Sequence, residues 1–242
     1  MSVAIEIKDL TLVLGGRTIL NVPDFQLLEG ESVSLMGPNG AGKSSLLFVM
    51  ALLQEPTSGV LRYFGKSLQQ YTRLELQRRM AMVFQKPMLL DLTVAENVDL
   101  GLKFRGINRK ERARRIKESL EQMAVDHLSR RRARSLSGGE AQRVAIAQAL
   151  VVEPEIIFLD EPFSNLDKEI REELMLHIDQ VLRKKHITTM MVTHHRREAE
   201  IMTDSLYWME DGVIISREST DRAAALCEPV SYPNSPVGKN LK

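Results

Sequence analysis

The feature that most restricts how this chain can fold is a run of eight residues, Gly37-Pro-Asn-Gly-Ala-Gly-Lys43-Ser44. Before it lies a short apolar stretch, Ser32 to Met36, which reads as a strand; after it Leu46, Leu47, Val49 and Met50 read as one side of a helix. Strand, glycine-rich loop and helix in that order make a cradle for phosphate. Glycines let backbone N–H groups curl around the anionic oxygens, and the helix presents the positive end of its dipole to them. The spacing of Gly, four residues, Gly-Lys-Ser assigns Gly37, Pro38, Asn39, Gly40, Ala41 and Gly42 to the cradle, with Ser45 opening the helix beside it. Lys43 is expected to reach the β- and γ-phosphates of a nucleotide and Ser44 to coordinate Mg²⁺.

Such a loop needs a carboxylate elsewhere in the chain for the metal. Ile156-Ile-Phe-Leu-Asp160-Glu161 supplies one at the end of an apolar run of the kind that a buried parallel strand requires. Asp160 is expected to hold Mg²⁺ through its water shell, and Glu161 to polarise an attacking water as general base.

Around these two points the pattern alternates strand and helix. Val3 to Leu14 alternates apolar with polar residues and Gly15-Gly16 turns it back. Further strands are expected over Val60 to Phe64, Met80 to Phe84 and Thr188 to Thr193, and a hairpin over Tyr207 to Ile215 around Asp211-Gly212. Helices are expected from the capping box Thr93-x-x-Glu96 toward Leu100, over Arg109 to Met123, over Glu140 to Leu150 and over Lys168 to Lys185. In 242 residues this amounts to one large α/β domain with a subdomain. Lys plus Arg (33) nearly cancel Asp plus Glu (32), so no global charge points to nucleic acid. The single Cys227 cannot form an internal disulfide, and no stretch approaches the roughly 18 apolar residues of a membrane span.

The order of these motifs resembles that of the ATP-binding subunits of ABC transporters, and one stretch carries the resemblance furthest. Ser135-Leu-Ser137-Gly138-Gly139-Glu140, followed by Ala-Gln-Arg143-Val-Ala-Ile-Ala, is similar to the family signature. As residues, Ser137 and the amides of Gly138 and Gly139 form a second anion site at a helix N-terminus. In the family this site closes over the γ-phosphate held by a partner's loop, so the resemblance implies a head-to-tail pair of identical subunits enclosing two ATP molecules. It also implies the fold: a P-loop NTPase core with a mostly parallel sheet, an antiparallel β subdomain and an inserted α-helical subdomain. The domain is expected over 1–228, its helical part over about 88–139, with a flexible tail over 229–242. Gln85 matches the glutamine that contacts Mg²⁺ and the attacking water. Ser164-Asn-Leu-Asp167 matches the loop that crosses the dimer interface, and His194 the histidine that hydrogen-bonds the γ-phosphate.

Implied partners are a second copy of the chain, transmembrane permease subunits docking near Gln85 to Leu100, and a solute-binding protein, with no nucleic acid. The implied location is peripheral, on the cytoplasmic face of the membrane. Val83-Phe-Gln-Lys-Pro87 and Gly101-Leu-Lys-Phe-Arg-Gly106 look similar to importers of inorganic oxyanions such as tungstate, molybdate or phosphate. Two positions depart from the family. Leu12-Val-Leu14 stands where an aromatic residue commonly stacks on adenine, and His195 follows His194 where importers usually carry Asp. The basic stretch Arg109, Lys110, Arg112, Arg114, Arg115, Arg130, Arg131, Arg132 and Arg134 lacks interleaved aromatics and reads first as the solvated face of a helix, with cytoplasmic-leaflet lipid or a membrane-subunit contact as the next readings. A chromosome-type relative would separate the loop from the signature by a long coiled coil, a translation-type one would carry two cassettes, and a GTPase would carry Asn-Lys-x-Asp; none of these layouts is present. Export or lipid transport is the other reading within the family.

Overall fold

The computed structural model describes residues 2–164 and 166–220, and the tail expected over 229–242 lies outside them. The alternating stretches Val3–Leu14 (β1) and Arg17–Leu28 (β2) pair antiparallel through the Gly15-Gly16 turn, with Leu14 opposite Arg17. They are followed by Ser32–Met36 (β3) and the helix Lys43–Met50 (α1). Ser58–Tyr63 (β4) returns to the far edge of β1, Lys66–Ser67 (β5) adds a short edge, and together they complete an antiparallel sheet in the order β2-β1-β4-β5.

After the short helix Arg73–Arg78 (α2), Met80–Val83 (β6) leads into Val94–Phe104 (α3) and Arg109–Gln122 (α4). Gly138–Leu150 (α5), Ile156–Asp160 (β7), Lys168–Lys184 (α6), Thr188–Val192 (β8) and Arg196–Met202 (α7) follow, before the hairpin Ser205–Glu210 (β9) and Val213–Ser219 (β10). The second sheet runs β10-β9-β3-β8-β7-β6, parallel from β9 to β6 with β10 as an antiparallel edge. β3, β7 and β8 are buried at all five positions, which is why they do not alternate and, apart from Asp160 at the end of β7, carry only apolar or hydroxyl-bearing side chains.

Among the described residues two large apolar cores follow from this layering, beside a small cluster of Met36, Ala199 and Leu206. One gathers β1, β2, β4 and α1 against one face of the parallel strands, with Tyr63 fully buried and its hydroxyl donating to the Met50 carbonyl at 2.6 Å. The other gathers α3, α4, α5 and α6 against the opposite face of β6, β7 and β8. The expected mixed α/β architecture, parallel sheet with an antiparallel partner and helices inserted after β6, is the observed one. α2, α7 and β5 were not expected, and β10 extends past Ile215 to Ser219. The basic stretch is largely neutralised on the spot: Arg114 pairs with Glu111 and Glu118, Arg115 with Glu111 and Glu153, Arg112 with Asp99, and Arg132 and Arg134 with Asp91.

Candidate active site

The carboxyl ends of β3, β7 and β8 are adjacent in the sheet, and the loops that leave them converge. That is the place where open α/β sheets offer a crevice to ligands. The loop after β3 runs from Gly37 to Gly42 into α1. Gly37 has φ of 147°, and a Cβ there would lie 1.9 Å from the Met209 carbonyl oxygen of β9, so no larger residue fits this approach. Lys43 is buried at 6% exposure, its ammonium donating to the carbonyls of Gly37 (2.9 Å) and Pro38 (2.8 Å). Burial lowers its pKa, while the carboxylates of Glu161 and Asp160 oppose that shift. Pro38, Asn39 and Gly40 are exposed on the rim, Ala41 is buried beneath it, and Ser45 is half-buried on the first turn of α1.

Ser44 meets Asp160 across 116 positions of sequence: its hydroxyl donates to Asp160 Oδ1 at 3.0 Å. Burial raises the Asp160 pKa, the Ser44 hydrogen bond and Lys43 pull it back, and Glu161 pushes it up. A hydroxyl and a carboxylate side by side are hard oxygen donors of the kind Mg²⁺ takes together with phosphate oxygens and water. Among the described residues no group of three or more His, Cys, Asp or Glu could hold a metal by itself. The Ser44 hydroxyl and Asp160 carboxylate fit Mg²⁺ as two of its oxygen donors.

Glu161 directly follows Asp160 and leaves the strand with φ of 45°, in the left-handed region that a glutamate rarely adopts. This geometry turns its carboxylate toward two other loops. Gln85 Nε2, from the segment after β6, donates to Glu161 Oε2 at 2.8 Å, and His194 Nδ1, from the end of β8, lies 3.5 Å from the same oxygen. Backbone strain held in place by a packed strand is typical of functional positions. Lys43, Ser44, Asp160, Glu161, Gln85 and His194 thus form one connected group.

Ser137, Gly138 and Gly139 stand apart from it. They open α5, where the Ser137 hydroxyl accepts from the Glu140 amide (3.3 Å) and the Glu140 carboxylate accepts from the Ser137 amide (2.7 Å). Among the described residues they make no hydrogen bond to the Lys43 loop, and Ser137 and Gly138 are exposed. Asp167 is exposed at the N-cap of α6, and Asn165 lies outside the described residues. A polar group that the motifs did not announce lies behind His194: Thr193, Glu198 and Arg171, joined to His195. Of these only the pattern Thr-His-His-Arg-Arg-Glu was visible in sequence, and nothing there indicated that Arg171 of α6 reaches it.

The ABC transporter family pattern matches residues 20–164. The chain is 35% identical over 213 residues to the Fe(3+) ions import ATP-binding protein FbpC of Pasteurella multocida, a match that covers 87% of this chain and 60% of that protein's length. It is 34% identical over 208 residues to the tungstate uptake system ATP-binding protein TupC of Peptoclostridium acidaminophilum, with 86% and 95% covered. Among solved structures it resembles the ATP-binding cassette MJ0796 in a dimeric post-hydrolysis state bound to ADP and Pi. The TM-score is 0.80 at 31% identity, over 89% of this chain and 98% of that one.

Proposed function

Because the chain belongs to the ABC transporter family, we propose that it is the ATP-hydrolysing subunit of a solute importer, working as a two-fold pair of identical subunits. The observation that carries this reading is the joining of two half-sites' worth of chemistry on one chain. One half is the Lys43 loop with Ser44, Asp160 and Glu161 beside it. The other is a helix N-terminus at Ser137 to Gly139, exposed at Ser137 and Gly138 and set apart from the Lys43 loop, which suits the γ-phosphate of a partner's nucleotide.

Within that pair, the Gly37 to Gly42 amides and Lys43 hold the phosphate chain of ATP, and Ser137, Gly138 and Gly139 of the second copy cover it. Ser44, Asp160 and Gln85 would hold Mg²⁺, which offsets phosphate charge during transfer. Glu161, oriented by Gln85, accepts the proton of the attacking water. His194 hydrogen-bonds the γ-phosphate oxygens and Asp167 stands on the loop between subunits. No helix among the described residues is long and apolar enough to cross a membrane. The mechanical partner in this reading is a permease, received at the cytoplasmic face, with a solute-binding protein on the other side. The cargo we propose is an inorganic oxyanion such as tungstate, molybdate or phosphate. The TupC relative, matched over nearly its full length, supports that class, whereas the FbpC relatives carry ferric ions in their names.

Replacing Glu161 by Gln should reduce ATP turnover by at least about a hundredfold while ATP-induced dimers persist on size exclusion, because binding contacts survive and only the proton acceptor is lost. Turnover within twofold of the parent protein would remove Glu161 from its role. For the cargo, cellular tungstate, molybdate and iron measured with and without the gene separate the two classes of relative.

A further inference from the structure

Behind His194 the structure holds a buried ionic group for which the hydrolytic scheme has no use. Glu198 of α7 is 2% exposed. Its Oε2 accepts from the Thr193 hydroxyl at 2.5 Å, and its buried Oε1 has no hydrogen-bond partner among the described residues. The cation facing that oxygen is Arg171 of α6, with Nη1 3.8 Å away. The same guanidinium reaches two further acceptors. Nη2 donates to the Leu166 carbonyl at 2.9 Å, and Nη1 lies 3.3 Å from His195 Nε2. A guanidinium can only donate, so Nε2 accepts and the His195 ring proton sits on Nδ1.

His195 is locked from two more sides. Its amide donates to the Thr193 hydroxyl oxygen at 3.0 Å, and its ring packs on that of His194 with centroids 3.9 Å apart. His194 in turn approaches Glu161. A continuous line therefore runs from the Leu166 carbonyl, in the loop that ends at Asp167, through Arg171 and His195 to His194 and the Glu161 carboxylate. An arginine fork is suited to such a junction because its donors are fixed in one plane, so that moving one acceptor turns the others.

We propose that Arg171 is a positioning residue that ties Leu166, beside Asp167 at the start of α6, to His194, acting through the His195 imidazole. The inference rests on the reading of the chain as a dimeric ATPase in which the loop ending at Asp167 lies between subunits: closure of the dimer presses on the loop, and Arg171 passes the displacement to the histidine that meets the γ-phosphate. Hydrolysis is thereby conditional on a formed interface, while nucleotide binding is not.

Arg171→Gln leaves Glu198 buried without its cation and can destabilise the fold by itself. The decisive variant is therefore His195→Phe, which keeps a ring against His194 and leaves Glu198 paired but removes the acceptor. For the full chain, His195→Phe should lower kcat for ATP by about tenfold to a hundredfold, the range expected when a reacting group is misplaced by a fraction of an ångström to one ångström. KM for ATP, Tm and the ATP-induced dimer of the Glu161→Gln background should stay close to the parent values. The double variant Arg171→Gln/His195→Phe should be no slower than the slower single, since both break one link. Unchanged kcat in His195→Phe, multiplicative losses in the double variant, or a joint fall of kcat, Tm and dimer formation would each overturn the proposal. A parent protein that forms dimers yet never hydrolyses ATP would instead overturn the ATPase reading on which it depends.

Discussion

Gly37 shows how a single residue can limit a whole site. Its backbone lies against β9 so closely that even a methyl group would overlap the Met209 carbonyl, and its φ is one that side chains oppose. The apposition brings the start of the phosphate loop against the sheet, and the Gly212 amide donating to the Ala41 carbonyl at 3.0 Å fastens the same loop from the β9–β10 turn. Gly37→Ala must push the loop off β9 or adopt a strained backbone, either of which costs on the order of 1–3 kcal/mol. The expected outcome is a lowered midpoint of urea denaturation together with loss of ATP binding by fluorescence titration. A variant with full stability and unchanged affinity would show that the contact positions nothing.

At the scale of the element, α6 carries a pH dependence distinct from the site. Burial pushes the Asp179 carboxyl up to about 6; Arg183, whose Nε donates to it at 3.1 Å, works against that shift and Asp204 adds to it. A carboxyl with a folded value above its unfolded value of about 3.9 binds its proton more tightly in the native state. The stability it contributes is therefore complete below about pH 4 and is lost as pH rises through about 6. Asp179→Asn keeps an acceptor for Arg183 and cannot ionise. Relative to the parent protein it should gain about 2–3 kcal/mol between pH 4 and pH 7, read as the change in unfolding free energy from urea curves at the two values. A difference independent of pH would contradict the raised carboxyl.

Much of this element pattern was legible because the strands differ in kind. β1 and β2 alternate, β7 is apolar at its first four positions, and Asp211-Gly212 marks a turn. α2 and α7 were missed because six and seven residues are too few for a helical period to emerge, although Thr72-x-x-Glu75 was a capping box in plain view. The loop at Gly37, the carboxylates at Asp160 and Glu161 and the cap at Ser137 could each be named from local spacing. Their mutual arrangement could not: the Gln85–Glu161 contact spans 76 positions and depends on β6 lying beside β7. Arg171 carries no local signal, since its three acceptors come from the loop before α6, the turn after β8 and α7.

At the scale of the whole molecule, the boundary between the two cores opens onto a groove. A cavity of about 330 Å³ is lined by Met80, Met82, Phe84, Met88, Val152 and Arg105, between β6 and the helices α3 and α5. Met88 of its lining is 69% exposed, and Phe104, next in the chain to Arg105 of its lining, is 78% exposed, large apolar surface of a kind that a free-standing protein rarely leaves open. Arg105 is half-buried and pairs with no carboxylate among the described residues; its guanidinium donates to the carbonyls of Gly101 and Arg78, and burial together with the nearby Arg78 cation lowers its pKa. Phe84 and Met88 of this lining flank Gln85 in the chain, so a permease segment seated there would bear on the residue that hydrogen-bonds Glu161. Under the proposed function, Met88→Asp should leave the ATPase rate of the detergent-free subunit within about twofold while abolishing its co-sedimentation with membranes that carry the permease, because a carboxylate cannot be desolvated on an apolar seat without several kcal/mol of cost. Arg105→Glu should do the same by reversing the sign of the buried charge. Normal membrane association by both variants would place the docking surface elsewhere on the molecule. A parallel collapse of the ATPase rate would instead show that the groove supports the active site itself.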